Sequence, residues 1–368
     1  MDKAIAILHT METINVTKTF LPPQEEYLAY LNKAWEKSWL TNNGPLVKEL
    51  EKRLKAYLGV PEIAYVSSGT IALQIAIKAL ELKGEIITTP FTYIATTNSI
   101  IWEGCTPIFV DIDPKSLNID PKKIETAITP KTSAILATHV YGNPCDIEAI
   151  ESVAKKHGLK IIYDAAHCFG VNLKNQSIFH FGDISITSFH ATKLFHTIEG
   201  GAIFTNSSSV LGEAVRRMRN FGHSGPSNFV NVGINGKNSE FHAAMGLSNL
   251  KYVDNIIANR KQITEMYDQF LKSDFQKPTI SVNTQYNYAY YPILFENERQ
   301  LLRAEERLNR KNIFPRRYFY PSINTVSYLG KKQDCPISED VAKRVLCLPL
   351  YFGLKEKSVK IISETVKA

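Results

Sequence analysis

From about residue 44 the apolar positions alternate between two spacings. Four-residue steps fit one face of a helix, and short unbroken runs fit a buried strand. Gly44-Pro45 opens the first clear helical stretch, in which Leu46, Leu50, Leu54 and Leu58 recur at helical spacing and Gly59 supplies the stop. Residues 63–66 read as a strand ending in Ser67-Ser68-Gly69-Thr70, and a helix follows through Leu80. Ile86-Ile87-Thr88 reads as a strand that breaks at Pro90. A helix over 92–102, strands over 107–110 and 134–138 and a helix over 147–157 continue the rhythm. Ile161-Ile162-Tyr163 leads into Asp164, residues 184–189 lead into a loop that carries Lys193, and 202–205 form another strand. Helical periodicity then dominates from about 241 to 271. Past residue 274 the chain turns to Tyr, Asn and Arg, with Tyr286, Tyr288, Tyr290 and Tyr291 clustered. Alternating helices and strands predict an α/β fold. The large domain spans 14–250, and a long helix with a smaller α+β domain spans 251–368.

Composition narrows the partners. Of the 368 residues, 44% are hydrophobic and 21% charged, which is the balance of a globular chain with material for a sizeable core. The formal net charge is +7, but the basic residues are scattered, so no nucleic-acid partner is expected. A mild positive excess suits anionic small ligands and solubility alike. The five cysteines are odd in number, widely spaced and without a CxxC pair. They argue against a metal site and a disulfide framework, and for a reducing cytoplasm. No apolar run approaches membrane-spanning length, so no membrane association is expected. Residues 1–13 read as a leader, disordered or accessory; their apolar patch is too short for a signal peptide.

Four loops at strand ends, where open α/β sheets place ligands, carry candidate chemistry. Ser68-Gly69-Thr70 either cups a phosphate with its amides or caps the following helix. Tyr93, in Pro90-Phe91-Thr92-Tyr93, either lies flat on an aromatic ligand or packs into the core. Asp164 ends an apolar strand, where a carboxylate needs a cation, donors or a helix to cap. His167 beside it is a ligand contact or a satisfied buried imidazole. Ser188 and His190 can offer donors to a phosphate or to a ring oxygen. Lys193, before Glu199-Gly200-Gly201, carries an amine that can condense with an aldehyde cofactor, and an upstream aspartate can keep a pyridine nitrogen protonated. Each signal is modest alone; their order and spacing together are not.

These motifs resemble the fold type I pyridoxal-phosphate (PLP) enzymes and, among them, the DegT/DnrJ/EryC1/StrS sugar aminotransferases. Thr41 to Pro45, Ser67 to Thr70, Thr89 to Tyr93, His139 to Gly142, Asp164 to His167, Ser188 to Lys193, Asn235 to Glu240 and Leu348 to Tyr351 carry the resemblance, over nearly all the chain after residue 13. It implies a large, mostly parallel sheet flanked by helices. Tyr93 would stack on the cofactor ring, Asp164 pair with the ring nitrogen, and His167 sit beside the ring oxygen. Gly69, Thr70 and Ser188 would hold the phosphate. It further implies a homodimer with its active sites at the interface. There Asn235-Gly236-Lys237-Asn238 resembles the loop reaching the partner's cofactor, with Asn235 and Lys237 both candidates; a turn before the long helix is the alternative.

A branch of the family replaces the lysine by histidine and dehydrates its substrate; retention of Lys193 points to amino transfer, with Lys193 and Asp164 catalytic. L-Glutamate is the expected donor, and the cofactor is left as pyridoxamine phosphate for the second half-reaction. Stretches 15–23 and 41–45 resemble the branch that aminates C4 of dTDP-4-keto-6-deoxy-D-glucose for O-antigen or another surface polysaccharide. Amination of a 3-keto sugar nucleotide is one alternative, and a non-catalytic protein that binds a sugar nucleotide is another. Arg316, Tyr318 and Tyr320 are candidate substrate contacts or the edge of a surface strand.

Overall fold

The computed structural model describes residues 13–206, 209–330 and 332–368. The leader expected over 1–13 therefore falls, save its last residue, outside the described residues. The main element is a seven-stranded sheet made of β1 (Ile63–Val66), β2 (Glu85–Thr88), β3 (Thr106–Phe109), β4 (Thr132–Thr138), β5 (Lys160–Asp164), β6 (Ile184–Ser188) and β7 (Gly201–Thr205), in the order β1-β7-β6-β5-β4-β2-β3. Neighbours from β6 to β3 run parallel, and β7 is antiparallel to both β1 and β6.

Side chains alternate across a strand. Ile135 and Ala137 of β4, Ile161 and Tyr163 of β5, and Ile87 of β2 enter the core on one face. Ala134 and Leu136, Ile162 and Ile86 enter a second core on the other. A sheet covered on both faces draws apolar residues to both sides of a strand, hence the unbroken runs Ala134 to Ala137 and Ile161 to Tyr163. Each isoleucine buried in this way contributes about 1.5–3 kcal/mol. Helices Pro45–Leu58 and Glu240–Leu250 cover the first face; Gly69–Ala79 and Ser209–Met218 cover the second.

A third core lies wholly among residues after 260, apart from Ile14 packed against it. It joins helices Val253–Leu271, Glu298–Asn309 and Glu356–Lys367 to the antiparallel pair Tyr291–Leu294 and Val345–Leu348. The Ile14–Asn15 strand pairs parallel with Ile313–Phe314, which ties the start of the described chain to this later part.

Helical periodicity over 241–271 resolves into two helices, Glu240–Leu250 and Val253–Leu271. The first is buried nearly all round, whereas the second buries a single stripe through Ile256, Ile263, Tyr267 and Leu271. The first helix and the start of the second, Val253 and Ile256, share the first core, whereas Ile263, Tyr267 and Leu271 enter the third; the chain turns between the helices at Lys251-Tyr252. Helix Gln24–Glu36 has no counterpart among the sequence expectations. It buries only Tyr30 and Ala34 and leaves Trp35 exposed, so its apolar face is faint.

Candidate active site

The carboxyl ends of β1, β2, β4, β5 and β6 open on one cavity of about 870 Å³. Of the residues picked out in the sequence, Gly69, Thr70, Tyr93, Asp164, His167, Ser188, His190, Lys193, Arg316, Tyr318 and Tyr320 all line it.

Helix Gly69–Ala79 begins at this cavity. Ser68 caps it, its hydroxyl accepting from the Ile71 amide at 3.1 Å. Gly69 and Thr70 then fall in the first turn, where amides have no intrahelical acceptor and favour an anion. The cap and the anion seat thus fall to neighbouring residues. Two close approaches bring the seat together. A Cβ on Gly201 would lie 2.6 Å from the Ser68 carbonyl, and one on Gly69 would lie 2.9 Å from the Ser188 Cβ. Since Gly201 pairs with both Val66 and Ser188, its register fixes the helix start beside the Ser188 hydroxyl.

Tyr93 precedes helix Ile94–Trp102 and is 61% exposed, whereas Phe91 is wholly buried against Tyr141 and Phe319. Phe91 fills the core position, which leaves the Tyr93 ring to the cavity.

Asp164 is 6% exposed. Its Oδ2 accepts from the Thr96 hydroxyl at 2.8 Å and its Oδ1 from the Ala166 amide at 3.1 Å. Thr96 in turn lies 2.9 Å from the Thr92 hydroxyl, which lies 3.0 Å from that of Thr138. No helix follows Asp164, so it is not an N-cap. Burial pushes its pKa up, against the pull of those two donors and of Lys193. A carboxylate held this way is matched to a cation.

His167 is 7% exposed, and its Nδ1 accepts from the Tyr141 amide at 3.2 Å. Burial holds its pKa well below the usual value, so the ring is neutral with its proton on Nε2. It stacks parallel to Phe319 at 5.7 Å. His167 is therefore anchored through Nδ1 and also lines the cavity.

The Lys193 Nζ donates to the Tyr290 hydroxyl at 3.4 Å, and burial lowers its pKa to about 8. His190 is engaged within its own loop: its Nδ1 meets the Thr192 hydroxyl at 2.8 Å, and its Nε2 lies 3.6 Å from Glu199.

Asn235 and Lys237 stay outside this cavity. The Lys237 Nζ donates to Asn235 Oδ1 at 2.8 Å and sits 4.6 Å over the Phe221 ring, while the Gly236 carbonyl accepts from the Ser67 amide at 2.9 Å. Arg316 exchanges backbone bonds with Cys347, as an edge residue does, and its side chain still lines the cavity. Its neighbour Arg317 also lines the cavity, but its guanidinium is engaged by Glu298 at 2.7 Å and lies face on to the Tyr320 ring at 3.5 Å.

Tyr290, Thr96 and Tyr328 also line the cavity, and the sequence alone does not point to them. Tyr290 lay within a tyrosine cluster that was its only signal. Among the described residues no group of three His, Cys, Asp or Glu could hold a metal, and no helix is long and apolar enough to cross a membrane.

An anion seat at a helix start, a buried carboxylate, an exposed aromatic ring and a low-pKa amine on one cavity fit pyridoxal 5′-phosphate, whose phosphate, pyridine nitrogen, ring and aldehyde call for those four partners. The cavity thus fits a PLP enzyme, and comparison with known proteins gives its class as an aminotransferase. The DegT/DnrJ/EryC1/StrS aminotransferase family matches residues 23–367, and the chain belongs to it. It is 45% identical over 361 residues to dTDP-4-amino-4,6-dideoxy-D-glucose transaminase of Shigella dysenteriae, covering 96% of this chain and 98% of that one. Identity is 43% over 368 residues to the Escherichia coli enzyme of the same name, again covering 96% and 98%. A solved structure of DesI in the presence of its TDP-sugar product is 30% identical and superposes with a TM-score of 0.91 over 96% of this chain and 92% of that one.

Proposed function

We propose that this chain transfers the amino group of L-glutamate to C4 of dTDP-4-keto-6-deoxy-D-glucose, in the cytoplasm, for a surface polysaccharide such as O-antigen. The observation that carries the reaction type is a lysine amine with a pKa of about 8 on the same cavity as a buried carboxylate. Near-complete alignment with two transaminases named for the 4-amino sugar supports the choice of substrate.

When bound, pyridoxal phosphate supplies an aldehyde to take the amine and a ring to absorb electron density. Lys193 would anchor the cofactor and, once freed, shuttle a proton at the carbon that gains or loses the amine. An amine with a pKa near 8 can act as both acid and base at neutral pH. Asp164, held by Thr96 and Ala166, would keep its negative charge opposite the ring nitrogen. Tyr93 would cover one ring face and His167 would donate from Nε2 to the ring oxygen. The first-turn amides of Gly69 and Thr70, with the Ser188 hydroxyl and His190, would receive the phosphate. Arg316, Tyr318 and Tyr320 would receive the nucleotide sugar, Arg316 matching its diphosphate. We also propose a homodimer, in which Asn235 and Lys237 complete the partner's cofactor site; their place outside this chain's own cavity is consistent with that.

The test is to incubate the holoenzyme with glutamate and the dTDP-, UDP- and GDP-linked 4-keto and 3-keto sugars, and to identify products by NMR and mass spectrometry. A 4-amino-4,6-dideoxyglucose linked to dTDP is the expected product. Amination at C3, or turnover confined to UDP or GDP sugars, would overturn the substrate. Absence of any amino transfer, with no spectral response to glutamate, would overturn the activity.

A further inference from the structure

The tyrosine cluster that stood out in the sequence forms a strap over 286–290, pinned at three points. Asn287, fully buried, donates from Nδ2 to the carbonyls of His167 at 2.8 Å and Phe169 at 3.0 Å, and its Oδ1 accepts from the Ala289 amide at 3.1 Å. The Tyr286 hydroxyl donates to the Tyr141 carbonyl at 2.8 Å. From helix Val253–Leu271 the buried Arg260 donates to the carbonyls of Tyr288 at 2.9 Å and Ala289 at 2.6 Å. A buried amide and a buried guanidinium are costly unless bonded, and here each is bonded to this strap or to the His167 loop that it crosses.

The strap ends on Tyr290. Its ring meets His167 edge to face at 4.8 Å and Tyr318 at 5.6 Å, and its hydroxyl is the acceptor for Lys193 Nζ. Nearby tyrosine hydroxyls bind elsewhere: Tyr267 to the Pro349 carbonyl, Tyr286 to the Tyr141 carbonyl and Tyr291 to Asp268. Those bonds hold the fold together, whereas the Tyr290 bond ends on the reactive amine.

We propose that Tyr290 is a positioning residue for Lys193, a phenol delivered by the strap to hold the lysine amine in place and support its ammonium form. The proposal rests on the PLP aminotransferase reading, in which the lysine is released and recaptured in each turnover. A neutral phenol oxygen that accepts from an ammonium favours the charged form. Burial keeps Tyr290 neutral by raising its pKa above the ordinary range, and the same burial drives Lys193 down to about 8. The other titratable groups around Lys193 are Asp164, Tyr93 and Cys168, each of which pulls its pKa upward, and the neutral His167.

Tyr290→Phe keeps the ring and removes only the acceptor. In full-length protein freed of cofactor, alkylation of Lys193 by acrylonitrile, followed by peptide mass spectrometry across pH, should titrate near 8 in the wild type and about half a unit or more lower in Tyr290→Phe. In the holoenzyme the half-reaction with glutamate should slow by about tenfold or more. Tyr291→Phe, which loses a hydroxyl bonded to Asp268, should leave the Lys193 titration at the wild-type value. An unchanged titration in Tyr290→Phe, or equal shifts in both variants, would overturn the proposal. Failure of wild-type Lys193 to take up the cofactor would instead overturn the PLP reading, since the titration is measured without cofactor.

Discussion

A buried lysine serves as a proton carrier only if it can release its proton near neutral pH. Lys193 meets that condition because burial lowers its pKa from 10.5 to about 8, against the opposing pull of Asp164. The same shift has a cost in stability. Between pH 8 and 10.5 the unfolded chain holds a proton here that the folded chain has lost, so folding stability recovers as pH rises through that window. Lys193→Ala should therefore lower kcat by about a thousandfold or more. It should leave the unfolding midpoint of cofactor-free protein no lower at pH 7, with any advantage over wild type shrinking between pH 8 and 10.5. Urea melts across pH, beside steady-state assays, check both halves. Asp164→Asn should cost about a hundredfold in kcat, because a neutral amide cannot sustain a cationic ring nitrogen. Retention of near-normal turnover in either variant would remove it from the catalytic pair. Asp164 was legible in the sequence because it ends an apolar run, and Lys193 because it follows Ser188 and His190 in the loop before Gly200-Gly201. Their partners were not: Thr96 is 68 positions from Asp164 and Tyr290 is 97 from Lys193, separations that only the folded topology closes.

Strands β4 and β5 could be read from the apolar runs Ala134 to Ala137 and Ile161 to Tyr163, which burial on both faces requires, whereas β6 alternates Ile184 and Ile186 with Ser185 and Thr187, whose buried hydroxyls donate to the Phe181 and Ala165 carbonyls. Antiparallel β7 could be read as a strand but not as the partner of both β1 and β6, since pairing leaves no trace in a run of apolar residues. Yet that pairing shapes the anion seat. A methyl on Gly201 would press on the Ser68 carbonyl and the Gly69 amide, backbone atoms that cannot rotate aside. Gly201→Ala is expected to destabilise the fold by about 1–3 kcal/mol and to weaken cofactor binding about tenfold or more by displacing the helix start. Gly59→Ala introduces strain at φ +63° but meets no atom within 4 Å. It should cost about 1 kcal/mol and leave cofactor affinity unchanged. Denaturant midpoints and cofactor titrations of the two variants separate strain from loss of the seat; equal cofactor affinities would refute the assignment.

At the scale of the molecule, the third core is built from residues after 260, with Ile14–Asn15 as a strand lent to it from the other end of the chain, and helix Val253–Leu271 joins it to the first core through Val253 and Ile256. The loop before Asn235 exposes Phe221, Phe229, Val230 and Val232, an apolar stretch suited to a second copy. If Asn235 and Lys237 serve the partner's cofactor, the double variant Asn235→Ala/Lys237→Ala and Lys193→Ala should each be inactive alone. Co-expressed, they should recover about a quarter of wild-type activity, because half the dimers are mixed and each mixed dimer has one intact site. Sedimentation velocity supplies the assembly state, and no recovery from an equal mixture of dimers would rule out shared sites. Finally, the Glu240 carboxylate, 1% exposed, accepts from the amides of Leu46 at 2.7 Å and Val47 at 3.1 Å, while the Glu240 amide donates to the Leu40 carbonyl at 2.9 Å. One residue thus ties both flanks of segment 41–45, Leu40 on one side and Leu46 and Val47 on the other, to segment 235–240 across nearly two hundred positions. Anyone grafting either segment from a relative, to change what the enzyme accepts, would have to transplant both, since a hybrid carrying only one inherits half of a joint.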